Sequence, residues 1–125
     1  MNPFFVSENL TPVRFFNLNP ITRVGGHMTA REILKEGTTA GKLMEKLLAE
    51  GRHPMDWGEK SKILSAGSAD KEKTNVFLVE GELEQSAVLL AVNYSAKDKL
   101  WFAQSFQGRD GAIIPKGSIV YSKEE

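Results

Sequence analysis

The pattern of apolar and polar residues is most regular over residues 75–121, where it predicts an antiparallel sheet. Residues 86–94 and 100–106 are two apolar runs on either side of a polar turn, which is the pattern of a β-hairpin. The middle of the first run is apolar at odd and at even positions, as in an interior strand with both faces covered. Residues 75–80 and the runs around a turn at Pro115 complete a predicted meander of about four strands.

Hydrophobic burial also predicts the register of this hairpin. Pairing Val92 with Phe102 groups the large apolar side chains on one face, and a slip by one residue would scatter them. The predicted core face holds Val88, Leu90, Val92, Phe102 and Phe106. The reverse face is predicted to be small and flat apart from Leu89 and Trp101.

Two short helices are predicted before the sheet, at about 29–36 and 39–50. Thr29 and Glu32 have the spacing of a capping box, which favours a helix start at that point. Apolar residues at 40, 43, 44, 47 and 48 follow the period of one buried helix face. Because the connection at Gly37 is short, we expect the two helices to pack against each other.

The rest of the chain is predicted to be extended or looped. Prolines and a glycine pair oppose helix in the first 28 residues, with an added edge strand expected near 13–18. A short strand is predicted at 62–65. The sequence therefore predicts a single α+β domain over 1–125, with an extended segment at 1–28, a helical hairpin at 29–51 and the sheet at 75–121.

Composition narrows the possible chemistry. Sixteen basic and sixteen acidic residues give a net charge of zero, so the chain lacks an overall basic footprint for nucleic acid. The absence of cysteine excludes disulfides, thiol nucleophiles and cysteine-ligated zinc. No metal-ligand spacing is present, and we expect neither a metal nor a cofactor. The N-terminus has no basic leader and no window is long enough to span a membrane, so we expect a cytoplasmic protein.

Two groups of side chains are candidates for function. His27 precedes a predicted helix start, and His53 follows Arg52, an arrangement suited to anion binding or proton transfer. Basic and aromatic residues of the sheet form the second group, suited to anchoring a protein partner or to binding phosphates and bases. Its members are Lys99, Trp101, Arg109 and Tyr121, and Trp57 is a further candidate anchor.

Three functions are consistent with these observations. Without a recognisable catalytic constellation, the sequence favours a small protein-binding module of the inhibitor, immunity or adaptor type rather than an enzyme. We accordingly expect a protein partner, with nucleic acid less favoured by the net charge and the oligomeric state left open.

The two alternatives depend on other features. Helices followed by an antiparallel sheet resemble the layout of barnase-like and RelE-like toxin domains. This resemblance implies a metal-independent ribonuclease or another phosphodiester-acting enzyme, with His27, His53 and Arg109 as its catalytic residues. Four phenylalanines within residues 1–20 need burial on the chain's own core or on a neighbour, which suggests a structural subunit of a phage or secretion assembly.

Overall fold

The computed structural model describes residues 13, 15–17, 21–22, 28–67, 69–81, 86–106 and 111–123. These residues form an α+β fold with helices α1 (Ala40–Ala49) and α2 (Trp57–Ser65). The strands are β1 (Phe15–Asn17), β2 (Ile21–Thr22), β3 (Met28–Leu34), β4 (Thr38–Thr39), β5 (Asn75–Glu80), β6 (Ala87–Ser95), β7 (Leu100–Phe106), β8 (Ile113–Ile114) and β9 (Ile119–Lys123).

Seven of these strands form one mixed sheet with the order β1-β3-β9-β5-β6-β7, and β2 also pairs with β3. Its pairs are antiparallel except for β5 and β9, which run parallel. Strands β4 and β8 form a separate small sheet. The predicted meander is therefore present only in β5, β6 and β7. Strand β9 does not continue it but lies in the middle of the sheet, between β3 and β5.

Helix α1 confirms the predicted second helix. The side chain of Thr39 caps it by accepting a hydrogen bond from the Lys42 amide at 3.2 Å. Gly51, with a φ of 76°, supplies the left-handed conformation that follows the last turn. The buried residues of α1 are Ala40, Leu43, Met44 and Leu47, which share one face as the apolar period predicts.

The predicted helix at 29–36 is wrong, because these residues belong mainly to strand β3. Ala30 pairs with Ser122 and Ile33 pairs with Ile119 of β9, while Leu34 pairs with Phe15 of β1 on the other side. These long-range pairings satisfy the β3 backbone from both sides and override the local capping-box signal. The expected edge strand of the N-terminal segment is present as β1.

The predicted helical hairpin at 29–51 is wrong, because its first helix is strand β3, and the helix that follows α1 is α2, on the other face of the sheet. Alternate residues of β5 point to opposite faces of the sheet, and each helix covers one of them. On one face, the α1-side core joins the buried residues of α1 to Leu34, Val76, Leu78, Leu89, Phe106 and Val120. On the other, the α2-side core joins Ile63 to Met55, Phe77, Val79, Leu90, Val92, Ile119 and Tyr121.

The strand predicted at 62–65 is wrong, because these residues are part of α2. Asp56 caps this helix by accepting a hydrogen bond from the Glu59 amide at 2.7 Å.

The predicted hairpin register is wrong by one residue. Val92 pairs with Ala103, and Asn93 pairs with Phe102. Phe106 consequently lies on the face opposite to Leu90, and Phe102 is exposed rather than part of the core. Burial does not select between the registers because helices cover both faces of β6, so the four-residue turn at 96–99 fixes the pairing. The placement of Val88, Leu90 and Val92 on one face is confirmed.

The parallel pair at the centre of the sheet separates after Phe77 and Tyr121, and an extended segment fills the gap. His53 and Lys123 exchange backbone hydrogen bonds of 3.0 and 2.9 Å. Met55 donates to Leu78 and accepts from Glu80, both at 2.9 Å. Residues 53–55 therefore lie in the plane of the sheet, between β9 and β5. This position carries the chain from the α1 face to the α2 face.

We expect Met55→Ala to lower the free energy of unfolding by about 3 kcal/mol, because Met55 is fully buried between the separated strands. Leu48→Ala is the control, since Leu48 is 49% exposed on α1 and its truncation should cost about 0.5 kcal/mol or less. Equilibrium denaturation of both variants measures the difference. Equal losses would contradict the role given to residues 53–55.

Candidate functional site

The structure brings together two of the candidate residues, Lys99 and Trp101, at the closed end of the β6–β7 hairpin. His53 lies at the gap between β9 and β5, and Trp57 begins helix α2. Tyr121 lies in the core. The candidates His27 and Arg109 lie outside the described residues.

Strand β7 is the last strand of the sheet, and within the described part of the chain no strand pairs with its outer edge. It contains no charged residue and has seven residues, of which only Phe106 is buried. Leu100 is 57% exposed and Phe102 is 53% exposed, and they lie on the same face of the strand. A long, uncharged edge with exposed apolar side chains is a template for pairing with another strand.

Two lysines lie in the hairpin turn, next to the first residue of this edge. Lys97 and Lys99 are both exposed, and Lys99 has a φ of 56°, which is uncommon for a residue with a side chain. Asp98 between them is held by Ser95: its amide donates to Ser95 Oγ at 3.3 Å, and its Oδ2 accepts from the same hydroxyl at 3.1 Å. Neither lysine makes an ion pair with any residue that the structure describes.

A third lysine and two aromatic rings lie on the α2 side of the same end. The rings of Trp101 and Tyr94 meet edge to face at 5.1 Å between centroids. The ammonium group of Lys71 lies over the Tyr94 ring at 4.6 Å, within cation–π distance. The closed end of the hairpin is therefore basic on the turn and on one face, with an apolar strip leading away from it along β7.

Tyr121 is fully buried and faces no partner surface. Its ring stacks on Phe77 at 4.4 Å with an interplanar angle of 10°, and its hydroxyl donates to Asn75 Oδ1 at 3.1 Å. Burial raises the pKa of Tyr121 to about 12, because the ionised phenolate would lose its hydration; nearby Arg31 lowers the pKa and Asp70 raises it. As an uncharged phenol, Tyr121 packs in the α2-side core at the point where β5 and β9 separate.

The polar groups around His53 make structural contacts. The guanidinium group of Arg52 contacts the buried carboxylate of Glu32 at 2.8 Å and donates to Ser122 Oγ at 2.9 Å. On the other side of the sheet, Lys123 lies 3.7 Å from the carboxylate of Glu59. The contacts of Arg52 link β3 and β9 to the segment that contains His53, and the contact of Lys123 links β9 to the first turn of α2.

His53 and Trp57 lie far from the hairpin turn. Trp57 is about half exposed and donates from Nε1 to the Glu80 carbonyl at 2.9 Å. Glu80 pairs with Ala87, whereas Trp101 pairs with Tyr94, seven residues further along β6. At about 3.3 Å per residue, this separation is roughly 23 Å. The structure thus does not gather the histidine, both tryptophans and Lys99 into one site.

The rest of the described residues contain a polar groove and no metal-binding cluster. A polar groove of about 310 Å³ lies between residues 72–74 and 115–118, with Lys73 and Lys116 in its lining. No cluster of three or more potential metal ligands is found in this part of the chain. Neither α1 nor α2 is long and apolar enough to cross a bilayer.

Comparison of the chain with protein-family models, with curated proteins and with solved structures gives no match. The uncharged run at 100–106 could have identified the open edge from sequence, whereas the predicted register placed Phe102 in the core. The contact of Lys71 with Tyr94 had no sequence signal, because it depends on the pairing of β5 with β6.

We expect the raised pKa of Tyr121 to make the protein less stable at high pH. The unfolded tyrosine releases its proton near pH 10 and the folded one near pH 12, so rising pH favours the unfolded state. The stabilisation that the raised pKa of Tyr121 gives to the folded state is fully present below pH 10. By pH 12 this stabilisation has fallen by about 2–3 kcal/mol. Equilibrium denaturation of the wild type and of Tyr121→Phe from pH 9 to 12 measures the effect of Tyr121 ionisation on the free energy of unfolding. Parallel pH curves for the two proteins would contradict it.

Proposed function

We propose that the chain is a small protein-binding module, of the inhibitor, immunity or adaptor type and without catalysis of its own. In this proposal a partner adds an extended strand to the outer edge of β7. The observation that carries it is a seven-residue, uncharged edge strand with Leu100 and Phe102 more than half exposed. Strand addition supplies affinity through main-chain hydrogen bonds and specificity through alternate side chains.

The opposite edge of the sheet supports this choice by contrast. It is formed by β1 and β2, whose described strands have three and two residues. Short edge strands are one way in which proteins avoid unwanted association. Strand β7 has neither this protection nor a lysine or proline within its length. Among the sheet edges that the structure describes, the β7 edge is the longer one, and a docking role would explain its length and its lack of charge.

Burial of the exposed apolar side chains gives the interaction a favourable contribution. Leu100 and Phe102 each retain about half of their surface for a partner, and covering them contributes about 1 kcal/mol each. Trp101 lies between them on the opposite face and is half-buried against Tyr94. It supplies a rigid aromatic anchor of the kind that is enriched at protein interfaces.

The other two functions remain predictions. For the phosphodiester-cleaving alternative, His53 lies at the far end of the sheet from Lys99, and the guanidinium of Arg52 is engaged by Glu32 and Ser122. For the structural-subunit alternative, residues 1–20 are mostly outside the described residues. Phe15, which is described, packs against the α1-side core of its own chain.

Selection from a displayed library of random peptides tests the proposed function. We expect the wild-type protein to enrich peptides that alternate apolar and polar residues. Leu100→Lys/Phe102→Lys should abolish the enrichment, because charged side chains on an edge oppose strand pairing. Ile113→Lys is the matched control, since Ile113 is 70% exposed on β8. Equal enrichment by the wild type and the double variant would contradict the proposal.

A further inference from the structure

We infer that the partner segment runs antiparallel to β7 and carries acidic residues directly after its apolar strand, where they meet Lys97 and Lys99. This inference rests on the proposed function and specifies its partner. The occupant is thus a protein segment with an alternating apolar stretch followed by aspartate or glutamate.

The positive charge of the hairpin turn favours a partner with acidic residues next to its apolar stretch. Lys97 and Lys99 are exposed and have no carboxylate partner among the described residues, while the Asp98 carboxylate accepts a hydrogen bond from Ser95 and leaves the turn with two positive charges and one negative charge. Lys71 adds a third positive charge at the same end, over Tyr94. Within β7 itself there is no charge to pair with a partner. Electrostatic complementarity therefore places the acidic residues of the partner at the turn and its apolar residues along the strand.

The backbone conformation of Lys99 is uncommon for a residue with a side chain. Its φ of 56° is a conformation that glycine or asparagine adopts at lower cost. Residues held in sparsely populated backbone regions cluster at functional sites. A lysine at this position carries its ammonium group at the start of the open edge, where the partner strand ends.

The direction of the partner follows from the direction of β7. Leu100 is the residue of β7 nearest the turn, and the strand runs away from the turn to Phe106. Antiparallel pairing is slightly more stable per residue than parallel pairing. An antiparallel partner brings its C-terminal end to Lys97 and Lys99, so its acidic residues follow the apolar stretch rather than precede it.

Synthetic peptides with a common core of alternating threonine and valine test the inference. One peptide ends in three acidic residues, one begins with them, one ends in three lysines, and one is flanked by serine. We expect the peptide with C-terminal acidic residues to bind about fivefold to tenfold more tightly than the serine peptide, as two exposed ion pairs provide. This advantage should diminish at high salt. Trp101 fluorescence or calorimetry measures the affinities.

Variants of the turn assign the effect to the two lysines. Lys97→Gln/Lys99→Gly should remove the advantage of the acidic peptide and leave binding of the serine peptide unchanged, because glycine tolerates the backbone of residue 99. Lys60→Gln/Lys62→Gln on α2 changes the net charge equally and should have no effect.

The outcomes separate this inference from the proposed function. Equal binding of the acidic and serine peptides, abolished by Leu100→Lys/Phe102→Lys, would overturn the acidic partner and retain docking at β7. Tightest binding of the peptide that begins with acidic residues would overturn the antiparallel direction. Failure of all four peptides to bind, while library selection still depends on Phe102, would overturn the inferred partner only.

Two other occupants give distinct results in the same experiment. A dimer of the peptide-free protein by sedimentation, lost in Leu100→Lys/Phe102→Lys, would show that a second copy occupies the edge and overturn the inference. A single-stranded RNA oligonucleotide that binds more tightly than every peptide, in a manner dependent on Lys97 and Lys99, would overturn it in favour of nucleic acid. Weak RNA binding and a monomer are the expected results.

Discussion

The fold depends on the separation of the parallel pair β5 and β9. The two strands pair only as far as Phe77 and Tyr121, whose stacked rings mark the point of separation. Residues 53–55 enter the gap and satisfy the backbone of both strands. A chain that passes through the sheet in this way must place α1 and α2 on opposite faces, and each helix then covers one side of β5 and β6.

This arrangement also determines which surface stays open. The central strands are buried on both faces by the two helices, and β7 lies beyond this cover at the end of the sheet. Its exposed apolar side chains and its unpaired edge are therefore a consequence of the layout. Where a natural edge strand is long and uncharged, selection against aggregation would be expected to shorten it or add a charge. The proposed bound strand would account for an uncharged edge beside two lysines that make no ion pair with any described residue.

Local features of the sequence predicted one helix and three strands correctly, whereas the helix predicted at 29–36 and the strand predicted at 62–65 were wrong. The apolar period after Thr39 predicted α1, and the apolar runs bounded by polar turns within residues 75–106 predicted β5, β6 and β7. Strand β3 could not be predicted in the same way, because these residues form a strand by pairing with β1 and β9, which come from opposite ends of the chain. The hairpin register failed for a related reason: with both faces of β6 buried, the turn and not the apolar pattern selects the pairing. The predicted hairpin places Lys99 and Trp101 at its closed end, as in the structure, whereas the burial of Tyr121 depends on the central position of β9.

The central claim is that the outer edge of β7 receives an extended strand, and amide hydrogen exchange tests it most directly. In the free protein, the backbone amides of β7 that point outwards should exchange rapidly, while the alternate amides bonded to β6 are protected. Adding the peptide that ends in acidic residues should slow exchange at the outward-pointing amides of residues 100–106. Protection that appears instead along β1 and β2, or no change in β7 at saturating peptide, would contradict the account.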